Sequence, residues 1–340
     1  PRAVPGRAWG ALWLAPLFMA TPPPLPDGAF RMTVLDVGQG LAVVVATARH
    51  TLVYDAGPRY TDTADAGGRI VLPYLRWRGI EAIDLLVVSH LDSDHSGGLL
   101  SLLGGARVDL LWSSIDPLHP ALGRSTRAQR CEAGQRLDLG GMRVEVLRPS
   151  PADYQSPRLT TNAASCVLRI GLAGHRLLLT GDLPAREEAE LVARSGDLQV
   201  DWISVPHHGS RGSSSQPLLD ATRPAWASVQ AGYRNRFGHP DPEVLARYMA
   251  RGVHVVRSDE SGMAQWRFRG DGSVELHRWR ASAHRYWHNR PGPGAPAITA
   301  ARSGRPKMTR KPTGPDQPGI FLHWSLQKSV YEPTHSKRRR

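Results

Sequence analysis

His-Leu-Asp-Ser-Asp-His-Ser-Gly-Gly, residues 90–98, is the stretch that decides the fold of this 340-residue chain. It follows a short apolar run, Leu85–Val88, that is typical of a buried strand, and it precedes Leu99–Leu103, which can begin a helix. Imidazole nitrogens and carboxylate oxygens are good ligands for divalent transition metals, and a loop can turn several of them towards one point. We therefore predict a metal site built around His90, Asp92, Asp94 and His95.

A solvated, Asp-rich turn that caps the next helix is the alternative interpretation of residues 90–98. An isolated Asp-Ser-Asp segment would usually be such a turn. Here two histidines flank the aspartates and two glycines follow them, and this combination favours the metal site.

Short runs rich in β-branched and apolar residues, separated by glycine-containing turns, recur through the middle of the chain. Ala185–Arg194 has acidic residues near its start and an arginine at its end, as the dipole of a helix favours. Strands are predicted at Phe30–Leu35, Ala42–Thr47, Thr51–Tyr54, Met142–Leu147, Ser165–Ile170, His175–Thr180, Trp202–Val205, Val253–Val256 and Ala264–Phe268. Two sheets whose outer faces must both be covered by helices predict an α+β fold, an αββα sandwich.

The two ends of the chain differ in composition from its middle. Ala8–Ala20 is uncharged and apolar, and the proline-rich spacer Thr21–Pro26 follows it, so we interpret residues 1–28 as the end of a membrane segment and a linker. Residues 29–282 are the predicted folded domain. Residues 283–340 carry 12 Lys/Arg against 2 Asp/Glu, a net of +10 out of the chain's +13, and are predicted to be a disordered basic tail. The remaining charge of only about +3 argues against a broad, positively charged surface that binds nucleic acid on the folded part.

The two cysteines, Cys131 and Cys166, belong to no CxxC or zinc-type pattern. They can form one disulfide in an oxidising compartment, or they can be separate, small buried hydrophobic residues. The sequence leaves both possibilities open, because the geometry of a disulfide is strict.

Residues 90–95 resemble the His-x-His-x-Asp-His motif of the metallo-β-lactamase superfamily, with Asp92 in place of the second histidine. Asp55 in Val-Tyr-Asp-Ala-Gly resembles the early Asp-x-Gly turn of that family. Asp182 in Leu-Thr-Gly-Asp resembles its bridging aspartate, and His207 in Val-Pro-His-His-Gly-Ser resembles a downstream ligand histidine.

Three further segments narrow the resemblance. Leu-Asp-Val-Gly-Gln-Gly at residues 35–40, Val-Pro-His-His-Gly-Ser at 205–210 and Asn-Arg-Phe-Gly-His-Pro at 235–240 resemble the C-terminal domain of ComEC-type DNA internalisation (competence) proteins. The resemblance implies a nuclease-like phosphodiesterase that degrades one strand of incoming DNA. It also implies an inner (plasma) membrane location with this domain on the extracytoplasmic side, a membrane channel in the same protein, and the DNA-uptake machinery as partners.

The chemistry of the individual residues suggests a role for each, if they converge. Two divalent metal ions, manganese or zinc, are expected on His90, Asp92, Asp94, His95, Asp182 and His207. An aspartate in place of an imidazole shifts the preference of such a site towards Mn²⁺. The expected catalytic residues are Asp94, His208 and His239. The expected substrate-binding residues are Asn162, Ser165, Ser210 and Ser213, and Asp36 and Asp55 are expected to be structural.

The chain departs from the family pattern at two places. Leu41 follows Gly-Gln-Gly where an acidic residue is frequent, and no histidine stands at the third-motif position, near which Asn162 and Ser165 are found. Asp92 and the missing histidine favour the phosphodiesterase over a small-molecule hydrolase, but two alternative functions remain. One is hydrolysis of a small lactone, thioester or lactam by the same fold, and the other is a non-catalytic DNA-binding module.

Overall fold

The apolar runs of the sequence form two β-sheets that face each other. The computed structural model describes residues 25–123 and 127–283. In chain order the strands are β1 (Phe30–Val34), β2 (Val43–Ala46), β3 (Thr51–Tyr54), β4 (Arg59–Thr61), β5 (Ala64–Asp65), β6 (Ala82–Ile83), β7 (Leu85–Val88), β8 (Arg107–Val108), β9 (Leu111–Ser113), β10 (Ala128–Arg130), β11 (Arg136–Leu139), β12 (Met142–Arg148), β13 (Val167–Leu172), β14 (His175–Leu179), β15 (Trp202–Ser204), β16 (Trp226–Val229), β17 (His254–Arg257), β18 (Ala264–Phe268) and β19 (Val274–Arg278).

Eight of these strands form the first sheet, in the order β10-β9-β7-β3-β2-β1-β18-β19, and seven form the second, in the order β11 to β17. Within the first sheet β3, β7, β9 and β10 are parallel to one another. Within the second, β14 to β17 are parallel. The remaining pairs in both sheets are antiparallel.

Short helices cover the outer faces of both sheets. The described helices are α1 (Leu72–Trp77), α2 (Ser93–Ser96), α3 (Leu99–Gly105), α4 (Ala185–Arg194), α5 (Gln216–Thr222), α6 (Pro242–Met249), α7 (Ser258–Ser261) and α8 (Trp279–Ser282). A π-helical turn, Gly67–Val71, leads into α1. Helices α1 and α3 pack on the first sheet, and α4, α5 and α6 pack on the second. The order of layers is helix, sheet, sheet, helix, which confirms the predicted αββα sandwich.

The inner faces of the two sheets enclose one core. Trp202 of β15 and Trp266 of β18 are fully buried and meet edge to face, with ring centroids 5.9 Å apart. Truncation of such a buried aromatic side chain to alanine usually costs about 3–5 kcal/mol. The core therefore fixes the two sheets against each other, and the sheets in turn hold the loops at their ends in position.

The ends of four strands bring the predicted site residues to one edge of the sandwich. In the first sheet, β3 ends directly before Asp55 and β7 ends at Ser89 and His90. In the second sheet, β14 ends three residues before Asp182, and β15 is followed by a 3-10 turn at Pro206–Gly209. Because all four are parallel strands, their carboxyl ends lie where side chains from both sheets can converge.

Cys131 and Cys166 form a disulfide, with Cα atoms 5.9 Å apart. Both are fully buried; Cys131 follows β10 in the first sheet and Cys166 precedes β13 in the second. The bridge thus joins the two sheets beside the edge that carries the site, and it resolves the choice that the sequence left open.

The predicted membrane segment and basic tail fall largely on residues 1–24 and 284–340, which lie outside the described residues. Within residues 25–123 and 127–283, no helix combines the length and apolar character that crossing a membrane requires. Several described elements were not predicted, among them β9, β16 and α5. Each is short, and its apolar residues show neither an alternating nor a helical period.

Candidate metal centre

The loop after β7 is held in place by backbone contacts to the first sheet. The amide of Leu41 donates to the carbonyl of Asp94 at 3.1 Å, and the amide of Ala56 donates to the carbonyl of His95 at 2.8 Å. Gly40, with φ of 142°, is required here, because a Cβ at this position would lie 2.4 Å from the Asp94 carbonyl oxygen. The Gly-Gln-Gly turn at residues 38–40 therefore packs directly under the predicted ligands.

Four side chains converge at the centre of this edge. The ligand atoms of Asp94, His95, Asp182 and His208 all lie within 4.8 Å of one another. Nε2 of His95 is 3.0 Å from Oδ1 of Asp182, and Nε2 of His208 is 3.1 Å from Oδ2 of Asp94. The group combines two imidazoles with two carboxylates, a donor set that suits a divalent metal ion.

Hydrogen bonds fix the tautomer of His95. Oδ2 of Asp55 lies 2.7 Å from Nδ1 of His95, and Asp55 is completely buried. The carboxylate also accepts hydrogen bonds from the amide and the hydroxyl of Ser89. A carboxylate can only accept, so Nδ1 of His95 carries the proton and the lone pair of Nε2 is directed into the cluster.

The same arrangement recurs at His208 and His90. Nδ1 of His208 donates to the carbonyl of Gln230 at 2.8 Å. Nδ1 of His90 lies 2.9 Å from Oγ of Ser89, whose only proton is donated to Asp55, so this nitrogen must be the donor. In each ring Nε2 is therefore the nitrogen with a free lone pair, as in histidines that bind metals.

The electrostatics of the cluster favour a bound cation. Burial alone would lower the pKa of His95, but the carboxylates of Asp182 and Asp55 raise it well above its usual value. Burial would likewise raise the pKa of Asp182, yet His208 and His95 hold it well below its usual value. A pocket that stabilises positive charge on two buried imidazoles so strongly also suits a metal ion. The ion would replace the protons that give these imidazoles their charge.

His90 and Asp92 form a second group beside the first. His90 is fully buried, and its Nε2 has no hydrogen-bond partner within the part of the chain that the structure describes. Oδ2 of Asp92 is 3.6 Å from this nitrogen, and the proximity of His90 lowers the pKa of Asp92, which keeps it ionised. A buried nitrogen without a partner is costly unless a ligand satisfies it, so these residues also fit a metal ion.

His207 lies beside the four-residue group rather than in it. Its Nε2 is 3.6 Å from Oδ2 of Asp182 and 3.5 Å from Nδ2 of Asn162, which approaches from the position of the missing third-motif histidine. His207 and His208 both have left-handed backbone conformations, with φ of 50° and 53°. Such strain costs about 1–3 kcal/mol per residue and is concentrated at functional sites. It turns two neighbouring imidazoles towards the same centre.

His239 stands at the rim of the site. Its ring meets that of His207 edge to face, with centroids 5.8 Å apart. Burial lowers the pKa of His239, and the neighbouring His208 and His207 lower it further. The ring is therefore neutral at neutral pH.

Three other predicted residues, Ser165, Ser213 and Asp36, make mainly structural contacts. Oγ of Ser165 accepts a hydrogen bond from the amide of Asp182. Ser213 is fully buried, and its hydroxyl is bonded to the carbonyls of Pro206 and Ser210, an arrangement that favours a structural role over the predicted contact with substrate. Asp36 forms an ion pair with Arg280.

Two residues of the site were not singled out from the sequence. Ser89 links Asp55, His90 and His95, and Gln230 orients His208 through its backbone carbonyl. The position of Ser89, between a buried strand and the first ligand, was a usable signal. Gln230 acts through its main chain, and no residue pattern reveals such a contact.

Asp55→Asn is expected to weaken metal binding by about 10- to 100-fold, because the amide can no longer hold His95 in the required tautomer. Competition with a chromophoric chelator measures this. Asp84→Asn is the matched control, since Asp84 forms a similar 2.8 Å pair with His50 at the opposite end of β7. Equal metal affinity in both variants would contradict the orienting role of Asp55.

The fold and the site together identify the class of protein. Residues 35–225 match the sequence model of the metallo-β-lactamase superfamily, and the chain belongs to this superfamily of metal-dependent hydrolases. Metallo-β-lactamase fold protein YhfI from Bacillus subtilis is structurally similar, with a TM-score of 0.48 and 13% identity over 71% of this chain and 100% of that one.

More closely related sequences come from longer proteins. The chain is 35% identical over 292 residues to "Competence protein ComA" of Neisseria gonorrhoeae, covering 86% of this chain and 40% of that protein. It is 26% identical over 260 residues to "ComE operon protein 3" of Bacillus subtilis (strain 168), covering 70% of this chain and 33% of that protein. The chain therefore spans between a third and two fifths of the length of these relatives.

Proposed function

We propose that this domain is a metal-dependent phosphodiesterase that degrades one strand of DNA during its uptake in natural transformation. The observation that carries the proposal is the convergence of Asp94, His95, Asp182 and His208 at an edge that also holds His90 and Asp92. The similarity to a gonococcal protein named for competence supports the biological setting.

The site has ligands for two divalent ions. Asp94, His95, Asp182 and His208 would hold one, and His90, Asp92 and Asp182 would hold the other, with His207 and Asn162 beside them. When bound, such ions lower the pKa of water and offset the charge on a phosphoryl oxygen. The high proportion of carboxylates favours Mn²⁺ over Zn²⁺ relative to an all-histidine site.

The side chains and backbone groups around the metal ligands have the remaining roles. Asp55, Ser89 and the carbonyl of Gln230 keep three imidazoles in the tautomer that accepts a cation. His239, neutral and at the rim, is placed to take a proton from the attacking water as a base and to pass it to the leaving oxygen of a phosphodiester. Ser210 and Asn162 are available to hydrogen-bond the substrate at the edges of the site.

The disulfide supports an extracytoplasmic location. Disulfides persist in oxidising compartments and are rare in the cytosol. Because Cys131 and Cys166 are bridged, we place the domain on the outer side of the inner (plasma) membrane, where incoming DNA arrives. The membrane channel of a longer protein and the DNA-uptake machinery are its proposed partners.

Incubation of the purified chain with linear single- and double-stranded DNA tests the proposal. Cleavage is expected with Mn²⁺ or Zn²⁺, and none with EDTA or in a variant that carries Asp94→Ala and His95→Ala. Bis(p-nitrophenyl) phosphate should be hydrolysed under the same conditions. Hydrolysis of a thioester or lactone without any phosphodiester cleavage would contradict the proposal, and so would tight DNA binding without metal-dependent cleavage.

A further inference from the structure

The loop between β16 and α6 places two exposed aromatic rings beside the metal centre. Tyr233 is 51% exposed and Phe237 is 53% exposed. Single exposed aromatic residues are ordinary on protein surfaces. Of the five exposed aromatic side chains in the described part of the chain, however, two lie on this one loop: Tyr233 and Phe237.

A continuous series of rings connects this loop with the metal ligands. The ring of Phe237 is stacked on that of His239, with centroids 5.7 Å apart and an interplanar angle of 23°. His239 contacts His207, and Nε2 of His207 is 3.6 Å from Asp182. Only the rings of His239 and His207 would therefore separate a group stacked on Phe237 from the metal centre.

Each exposed ring has an arginine beside it. The guanidinium of Arg234 lies 5.2 Å from the ring centroid of Tyr233, and that of Arg236 lies 4.8 Å from the ring centroid of Phe237. Both arginines are exposed, and neither forms an ion pair with a carboxylate among the described residues. Their charge is available to an anionic ligand.

The loop is fixed before any ligand binds. The side-chain oxygen of Asn235 accepts hydrogen bonds from the amides of Phe237 and His239, and its Nδ2 donates to the carbonyls of Gly232 and His239. The amide of Gly232 donates to Oε1 of Gln39, and a Cβ at Gly232 would lie 2.9 Å from the amide nitrogen of Gln39. A preorganised loop loses little entropy on binding.

We infer that Tyr233, Arg234, Arg236 and Phe237 form a platform that binds unpaired nucleotides and leads the strand to the metal centre. Aromatic rings stack on the faces of single-stranded bases, and arginines beside them bind the phosphates. Bases in a duplex are stacked on each other, so their faces are not available to stack on these aromatic rings. The inference rests on the proposed function and adds to it the residues that select single-stranded DNA.

Another arginine–aromatic pair in the chain makes clear what distinguishes this platform. Arg78 lies 4.0 Å from the ring centroid of the exposed Trp77, at the end of α1. There the ring also packs against Tyr74 and Trp279, and Arg78 donates to the side chain of Gln265. That pair is engaged within the protein, so Trp77→Leu is a matched control.

Fluorescence anisotropy of a labelled oligothymidylate, with the full chain in EDTA, tests the platform without any cleavage. Phe237→Leu keeps an apolar side chain but removes the ring, and we expect it to weaken binding of the single strand about tenfold. Phe237→Trp should restore binding to within about threefold of wild type, because a ring is again present. Trp77→Leu should bind like the wild type. All variants share the basic residues 283–340, so their differences report on the platform.

The outcomes separate this inference from the proposed function. Unchanged affinity in Phe237→Leu, or an equal loss with a duplex of the same length, would overturn the platform, even if the wild type hydrolyses bis(p-nitrophenyl) phosphate. A platform-dependent affinity without hydrolysis of any phosphodiester would support the platform and reject the proposed nuclease. If Phe237→Leu loses binding to phosphatidylglycerol vesicles but not to the oligonucleotide, the rings contact membrane and the inference is wrong.

Discussion

Asp182→Asn is expected to lower phosphodiester hydrolysis by about a thousandfold or more. Asp182 is almost fully buried, and its two oxygens approach His95, His207 and His208. The substitution preserves shape but removes the one carboxylate that the proposed function assigns to both metal ions. Stabilisation of charge by bound metal contributes several kcal/mol to such reactions, and each 1.36 kcal/mol is a factor of ten in rate.

Two measurements check this expectation. Hydrolysis of bis(p-nitrophenyl) phosphate gives the rate, and elemental analysis gives the metal content, which should fall below that of the wild type. Asp197→Asn is the control, since Asp197 is an exposed aspartate paired with Arg176, which lies at the start of β14, the opposite end from Asp182. An Asp182→Asn variant that keeps its full metal content and more than about a tenth of the activity would show that Asp182 is not a shared ligand.

Reduction of the disulfide is expected to lower the free energy of unfolding by about 3–4 kcal/mol. The bridge closes a loop between positions 35 residues apart, and the loss of that constraint increases the entropy of the unfolded chain. Typical domains have only about 5–15 kcal/mol of stability, so this loss is large. For a folded part of this size the melting temperature should fall by about 10 °C.

Thermal unfolding with and without dithiothreitol measures the effect. A variant with Cys131→Ala and Cys166→Ala is the control, because it should melt near the reduced wild type and should not respond to the reductant. If the wild type melts at the same temperature with its thiols titrated as free, the bridge does not stabilise the fold. The extracytoplasmic location would then lose its structural support.

A comparison of His207 with His208 illustrates the limit of sequence reasoning at this site. The sequence places both in one short segment after an apolar strand, and the family resemblance assigned the ligand role to His207. In the structure, His208 joins Asp94, His95 and Asp182 within 4.8 Å, while His207 faces Asp182 and Asn162. The directions of the two side chains depend on the left-handed backbone at both residues, which local composition does not reveal.

The sequence by itself determined the αββα fold and predicted the side chains that converge at the candidate site. Apolar runs at strand periodicity specify the strands, and polar residues directly after two of those runs specify where ligands meet, because both signals are local along the chain. Only the tertiary structure decided the Asp55–His95 pair, the pairing of Cys131 with Cys166, and the series of rings from Phe237 to His207. These contacts join separate loops, so they exist only once the packed sheets hold those loops side by side.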